Sequence, residues 1–346
     1  MHYLVTGHTG FKGAWLTLLL LSRGHQVSGV ATKEPPEGGM FKRAGLADEL
    51  VYDFRADIRD AAATAAAVST AAPDVVVHMA AQPLVRESYR KPRDTYEINV
   101  MGTLNVLEAV AATPSVRAQV VVTTDKVYRN NDQEAGYTET DPLGGNDPYS
   151  ASKAMADLLV QSWVRSFPGT PTAIGRAGNV IGGGDVSRDR LLPDLTTAFA
   201  HGRAPRLRFP HAVRPWQHVL DCLNGYLTLV DALLAGSGQG EWNFGPGPDS
   251  FVEVGQVATL AAELWGGSAR WELDGEPQPH EANLLALDTT KTQGELGWHG
   301  RLSFRDAVAW TVDWEQRVYA GADVRSVSQE QIAAFESRSA ALLQPT

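Results

Sequence analysis

Tyr149 and Lys153, four residues apart in "PYSASK", can carry out proton chemistry together. That spacing places both side chains on one face of a helix. A free phenol titrates near about 10, too high for a base at neutrality, and a neighbouring ammonium favours its phenolate. Such a pair can take a proton from a hydroxyl while hydride leaves the same carbon. A second cluster lies in "VVTTDKVY", where Thr124, Asp125 and Lys126 follow the apolar run Val120 to Val122. A hydroxyl, a carboxylate and an ammonium at the end of a core strand are either solvated loop residues or groups facing a reacting molecule. A third cluster is glycine: "VTGHTGFKG" sets Gly7, Gly10 and Gly13 between an apolar strand and a helix. Glycines there allow a tight turn and let a pyrophosphate approach the helix N-terminus, whose free N–H groups favour anions. The spacing, GxxGxxG rather than GxGxxG, predicts a dinucleotide cofactor.

These residues need rigid elements behind them. Strands are expected at His2 to Thr6, Gln26 to Ala31, Leu50 to Phe54, Asp74 to His78, Gln119 to Thr123 and Thr172 to Gly175. Helices are expected at Phe11 to Gly24, Asp60 to Ala72, Arg93 to Ala112, Pro148 to Ser166 and Val219 to Leu234. Strands alternating with helices at this spacing mean βαβ units and a parallel sheet. After Arg176 the pattern degrades into Gly, Pro and Arg, as in "GGGDVSRDRLLPD" and "GRAPRLRFPHAVRPWQ". Residues 1–176 are therefore expected to bind the cofactor. Residues 177–346 are expected to form a smaller, irregular substrate lobe and tail, except that 216–245 pack back on the sheet. The tail from Gly321 is expected to be helical from Ser328.

Composition narrows the partners. Apolar residues make up 43% of 346, enough for a sizeable core. The net charge of −10, without a long basic run, argues against nucleic acid. Anionic ligands must then be held by a few arginines and backbone N–H groups. Cys222 is the single cysteine, and the nine histidines show no HExxH-like spacing, so no metal is expected. The first strand begins without a signal segment, and the longest apolar run, Trp15 to Leu21, is too short for a bilayer. The expectation is a cytoplasmic protein with no membrane contact.

Weaker signals lie around the clusters. "VATKEPP" lacks an obvious acid for an adenosine ribose, and Lys33 could meet a 2′-phosphate; NAD is nevertheless expected over NADP. Lys12 either lies near the phosphates or is a solvated helix lysine, and the second is the expectation. Asp57 in "ADIRD" is either an adenine contact or a helix cap. The helices around Asn99 to Val110 and Ala151 to Val164 carry apolar residues on more than one face, among them Val100, Met101, Leu104, Leu107, Leu158, Leu159 and Trp163. A surface helix needs only one apolar stripe, so a homodimer is expected through these helices.

From about residue 2 to about residue 315 the chain resembles the extended short-chain dehydrogenase/reductase superfamily, and within it the CDP-glucose 4,6-dehydratases. The resemblance rests on "VTGHTGFKGAWL", "HMAAQPLVRESY", "TTDKVY", "DPLGGNDPYSASKA", "RAGNVIGGGD", "DRLLPD", "RPWQHVLD", "WNFGP" and "HEANLLALD". It implies an α/β fold, a Rossmann-type doubly wound parallel sheet with a smaller irregular substrate lobe. It also implies an NAD site that adds Thr9, Phe11, Ile58, Ala80, Ala81 and Gln82 to the glycines and Asp57. Tyr149 and Lys153 become the dehydrogenase pair, and Thr124 a partner of the sugar hydroxyl. Asp125 and Lys126 serve a water elimination. Gln82, Asn179, Arg188, Arg190, Arg214 and His280, with its neighbour Glu281, become contacts of a nucleotide-activated hexose. The implied reaction oxidises C4, loses water across C5–C6 and returns the hydride to C6. Related dTDP-sugar dehydratases carry Asp–Glu where Asp125 and Lys126 stand, and simple 4-epimerases usually carry no ionisable pair there. The chain departs from the family at Thr123, Val127 and Asn146. A nucleotide-sugar epimerase and a non-catalytic NAD-binding protein are the competing readings.

Overall fold

The structure, a computed structural model, describes residues 1–32, 34–131, 133, 135–187, 189–274 and 285–342. Lys33, Arg188, His280 and Glu281 lie outside them. Seven strands form the main sheet: β1 (His2–Thr6), β2 (Gln26–Ala31), β3 (Asp53–Arg55), β4 (Val75–His78), β5 (Ala118–Val122), β6 (Thr172–Ala177) and β7 (Gly240–Phe244). Their order is β7-β6-β5-β4-β1-β2-β3, and every pairing is parallel. β4 and β5 read "VVVH" and "AQVVV" and are buried at every residue. Such runs suit a parallel sheet covered on both faces by its crossover helices. The strand order reverses between β1 and β4, and ligands of open α/β sheets bind at the carboxyl ends beside such a reversal.

Helix α1 (Phe11–Ser22) is nearly all apolar and buried, and Gly24 at φ +74° ends it. Helix α2 (Ala61–Ala71) starts at Asp60, whose carboxylate accepts from the Ala63 N–H. The helix expected over 93–112 is divided: α3 (Pro92–Tyr96), a π turn (Glu97–Met101) and α4 (Gly102–Ala111). Helix α5 (Pro148–Ser166) has the expected bounds. Asp147 caps it by accepting from the Ser150 N–H at 2.9 Å, and Pro148 occupies its first turn.

Within 216–245 the chain divides: Trp216 enters the lobe core, and the residues from Val219 join the sheet. Their helix α7 (Val219–Leu234) is buried at twelve positions and joins the main core, while β7 adds an edge strand that the sequence reading did not foresee. The lobe is more regular than expected. Helices α6 (Leu191–Ala200), α8 (Val254–Trp265) and α9 (Phe304–Tyr319) share a second core containing Leu192, Leu195, Trp216, Val257, Val308 and Val312. The tail helix α10 (Val324–Leu342) begins four residues before the expected Ser328, and its Ile332 and Phe335 enter the main core. Among the described residues no helix is long and apolar enough to cross a membrane.

Candidate active site

The glycine loop has a backbone that side chains would block. Gly7 lies at φ +75°, and a Cβ there would approach the Ala80 nitrogen to 2.9 Å. A Cβ on Gly13 would lie 2.1 Å from the Gly7 carbonyl oxygen. Gly10 starts α1 without a side-chain cap, and the first turn holds no acidic residue. The helix end thus offers bare N–H groups to an anion. Thr9 is buried, whereas Phe11 is half-buried.

The facing loop after β4 is fixed from below. The Thr6 hydroxyl accepts from the N–H groups of Met79 and Ala80, both at 3.1 Å, and contacts His78 Nδ1 at 2.7 Å. Thr103 donates to Asn99 O, so at 3.0 Å it must accept from His78 Nε2–H. His78 Nδ1 is then the acceptor of the Thr6 proton. Burial, helped by the Lys153 charge, pushes His78 down to about 3, so this imidazole is neutral. Ala80 and Ala81 are half-buried on the cleft side of this loop.

Gln82 behaves differently from the ligand contact expected of it. Its Nε2 donates to Thr95 Oγ1 at 2.9 Å and its Oε1 accepts from the Leu84 N–H at 2.6 Å, so both ends of the carboxamide shape the loop. Asn99, which the sequence reading passed over, links this loop to the catalytic helix. Its Oδ1 accepts from the Gln82 N–H at 2.8 Å, and its Nδ2 donates to Gln82 O and to Ser152 Oγ on α5. It lies in the middle of the π turn, a distortion frequent at functional sites. The visible signal was an asparagine among the apolar residues of "INVM". Asp57 sits half-exposed with its carboxylate against Arg59 (2.7 Å), which holds it below the usual carboxylate range; the cap of α2 is Asp60 instead. The Ile58 side chain is buried under Gly102.

Tyr149 and Lys153 share the inward face of α5, and both are buried. Ser88 Oγ accepts from the Tyr149 N–H at 3.1 Å and so anchors the start of the helix. Lys153 Nζ donates to Val122 O at 2.8 Å, at the end of β5. Burial, joined by the Lys12 charge, brings Lys153 down to about 8. Burial also pushes the Tyr149 phenol up to about 12; the Thr124 hydroxyl and Arg190 act against it, and Asp125 and Asp147 with it. Desolvation therefore outweighs the lowering expected from the Lys153 ammonium, which also donates to a backbone carbonyl.

Lys12 is a further correction. It is half-buried, with Nζ 3.9 Å from Cys222 Sγ and 5.8 Å from the Tyr226 ring centre, and its charge acts on both Asp125 and Lys153. It serves the site rather than the solvent because it lies in the first turn of α1, directly over the strand ends.

Thr123, Thr124 and Asp125 of "TTDK" are buried rather than solvated, and Lys126 is half-buried. Thr124, 7% exposed, caps a short turn, Asp125–Val127, and donates to Asp125 Oδ1 at 2.8 Å. Asp125 is buried, and desolvation raises its pKa even against Lys126, Thr124 and Lys12. Gly178 has no Cβ to crowd it; one there would lie 3.0 Å from Asp125 Oδ2. Lys126 is half-buried beside it. Behind the turn, Arg176 grips Asp157 with Nε and Nη2 at 2.8 and 2.7 Å, both side chains fully buried. Arg176 Nη1 donates to Tyr128 Oη at 2.8 Å, and Tyr128 donates to Asn243 Oδ1 at 2.7 Å. Thr123, a departure from the family pattern, donates to Asp157 Oδ2 at 3.0 Å and so belongs to this support. Val127 is buried beneath the turn, and Asn146 is exposed.

On the lobe side, Asn179 follows β6 and its carbonyl accepts from the Gln217 N–H at 3.2 Å. Arg190 opens α6, is exposed, and acts electrostatically on Tyr149. Arg214 is half-buried, with Nη1 donating to Val213 O at 2.8 Å. Among the described residues no group of three or more His, Cys, Asp or Glu side chains could hold a metal.

Residues 3–245 match the sequence profile of the NAD dependent epimerase/dehydratase family. The chain belongs to this family. Among curated proteins it is 41% identical to a CDP-glucose 4,6-dehydratase of Salmonella typhimurium, over 96% of this chain and 95% of that one. It is 31% identical to a dTDP-glucose 4,6-dehydratase of Xanthomonas campestris, over 90% and 92%. A solved dTDP-glucose 4,6-dehydratase from Streptomyces venezuelae with NAD bound superposes with a TM-score of 0.77 at 28% identity, covering 92% of this chain and 98% of that one. A UDP-glucose 4-epimerase from Thermotoga maritima shares the fold, with a TM-score of 0.82 at 21% identity over 92% and 99%. The family's cofactor is NAD, and the unblocked glycine loop and uncapped start of α1 fit its pyrophosphate. This member is an NAD-dependent nucleotide-sugar dehydratase, and the competing reading as a non-catalytic NAD-binding protein is set aside.

Proposed function

We propose that the protein converts CDP-glucose to CDP-4-keto-6-deoxyglucose. The observation that carries this reading is a buried acid, Asp125, next to Lys126 and bonded to Thr124, whose hydroxyl also favours the Tyr149 phenolate. When bound, NAD takes up a hydride and later gives it back. Tyr149 accepts the C4 hydroxyl proton, with Thr124 holding the same hydroxyl. Asp125 is suited to give a proton to the departing C6 hydroxyl, because burial favours its protonated form. The C5 proton goes to Lys126 or its neighbour, and the same group returns a proton to C5 once the hydride is back on C6. Asn179, Arg190 and Arg214, with Arg188 and His280 outside the described residues, hold the substrate diphosphate and sugar, since arginine forks match phosphate geometry. Asp57 and Ile58 meet the adenine.

Cytidine is favoured by the 41% relative, and the dTDP-sugar relatives are more distant. The same reading makes the protein a cytoplasmic homodimer, supported by Met101, Met155 and Leu158, each about half exposed on neighbouring helices. Mass spectrometry of products from a panel of nucleotide-activated hexoses tests the function. The expected result is fastest loss of one water from CDP-glucose. Products of unchanged mass would mean an epimerase.

A further inference from the structure

Gln217, in "RPWQHVL", is 3% exposed, and among the described residues neither its Nε2 nor its Oε1 has a hydrogen-bond partner. A buried carboxamide with both ends unmade carries the full desolvation cost of two polar groups. Such a residue calls for a ligand, and its position indicates which one.

The Gln217 backbone pairs with Val180 beside Asn179. Side chains alternate along an extended chain. Trp216 faces the lobe core, with its Nε1 donating to Val252 O at 3.0 Å. Pro215 faces the other way, with its Cγ 3.4 Å from the point where a Gly178 Cβ would lie; Asp125 Oδ2 is 3.0 Å from that same point. Gln217, two residues on, shares the Pro215 face. Two residues further, Val219 Cγ1 lies 2.7 Å, and Phe11 Cζ 3.2 Å, from the Cβ position of Gly182. Gln217 is thus bracketed by the acid turn on one side and the first turn of α1 on the other. A dinucleotide with its pyrophosphate on the glycine loop, and its nicotinamide within hydride reach of the carbon that Tyr149 serves, must span that gap.

We propose that Gln217 is a cofactor-binding residue whose carboxamide hydrogen-bonds the carboxamide of the nicotinamide ring. A donor and an acceptor side by side match the same pair on the ring, one bond in each direction. The proposal rests on NAD as cofactor and not on which sugar is dehydrated, so the test uses no substrate turnover.

The measurement is ligand affinity from the dependence of melting temperature on ligand concentration, for NAD and for ADP-ribose, which lacks the nicotinamide. Full-length protein is used after removal of co-purifying nucleotide. Gln217→Met keeps the side-chain volume and removes both polar ends. It should bind NAD about tenfold or more weakly and ADP-ribose as the parent does. Without ligand it should melt at or above the parent temperature, because no buried polar group is left unpaired. Gln217→Glu, which keeps an acceptor but loses the donor, should also weaken NAD selectively. Equal losses for NAD and ADP-ribose, or no loss for either, would overturn the proposal. So would unchanged NAD affinity together with weakened binding of CDP-glucose, which would assign the carboxamide to the sugar.

Discussion

Of the Tyr149–Lys153 pair, Lys153 is the member whose titration lies nearer to neutrality. Burial brings it to about 8, while the phenol it accompanies is held near 12. The charged form of Lys153 favours the phenolate. That charge is complete below the pKa and is lost as pH rises through it, so nicotinamide reduction should fall above about pH 8. Lys153→Arg cannot lose its charge in this range, and in whatever activity survives the alkaline limb should disappear. A limb unchanged in the arginine variant, measured by stopped-flow over pH 6 to about 10, would assign it to another group. Tyr149→Phe should lower the rate of nicotinamide reduction roughly 10²–10⁴-fold, the range for a positioned base. At this scale the placement of Tyr149 and Lys153 on one inward helix face was legible, because the chemistry proposed for them requires two residue types at one helical spacing. The state of the phenol was not, since desolvation depends on what the rest of the chain stacks around it. Lys12 was misread for the same reason: a lysine in a first helical turn is solvated unless a distant element, here α7 with Cys222 and Tyr226, closes over it.

Among the elements, β1, β2, α5 and α7 have their expected bounds because their apolar patterns end at caps or turn residues. β7 reads "GEWNF", too short and too polar at its start to signal a strand; its identity comes from lying beside β6. The lobe helices α8 and α9 start at Glu253, an uncommon cap that forms a box with Gln256, and at Ser303 over Asp306, beyond the Gly- and Pro-rich stretches that dominate the segment. The Asp157–Arg176 pair was equally invisible, because β6 brings the arginine to α5 only in three dimensions. Removing one partner of a buried ion pair costs about 3–5 kcal/mol. Asp157→Ala should therefore lower unfolding free energy by about that amount in denaturant titrations. It should also disturb the acid turn through Tyr128. A loss below about 1 kcal/mol, the range of surface pairs, would show that the pair is solvated in solution.

At the scale of the whole molecule, Met101, Met155, Leu158, Tyr89 and Phe167 are large apolar side chains with about half or more of their surface exposed. Four of them, Met101, Met155, Leu158 and Phe167, lie on or beside the packed α4 and α5 helices, which carry the doubled apolar faces seen in the sequence. A patch of this kind marks an interaction surface. Light scattering at micromolar concentration should give twice the chain mass of 37.3 kDa, and Leu158→Glu should give a single chain. A monomeric parent protein would remove the dimer.

The elimination machinery proposed at Asp125 and Lys126 would separate this protein from an epimerase sharing its fold, and Lys126→Ala tests it most directly. Lys126 acts after C4 oxidation whether it accepts the C5 proton or steadies the enolate. With CDP-glucose in a stopped-flow experiment, the variant should reduce its bound NAD, and the reduced-nicotinamide absorbance should accumulate without formation of the 4-keto-6-deoxy product. Product forming at near the parent rate would contradict this and return Lys126 to the status of a loop residue.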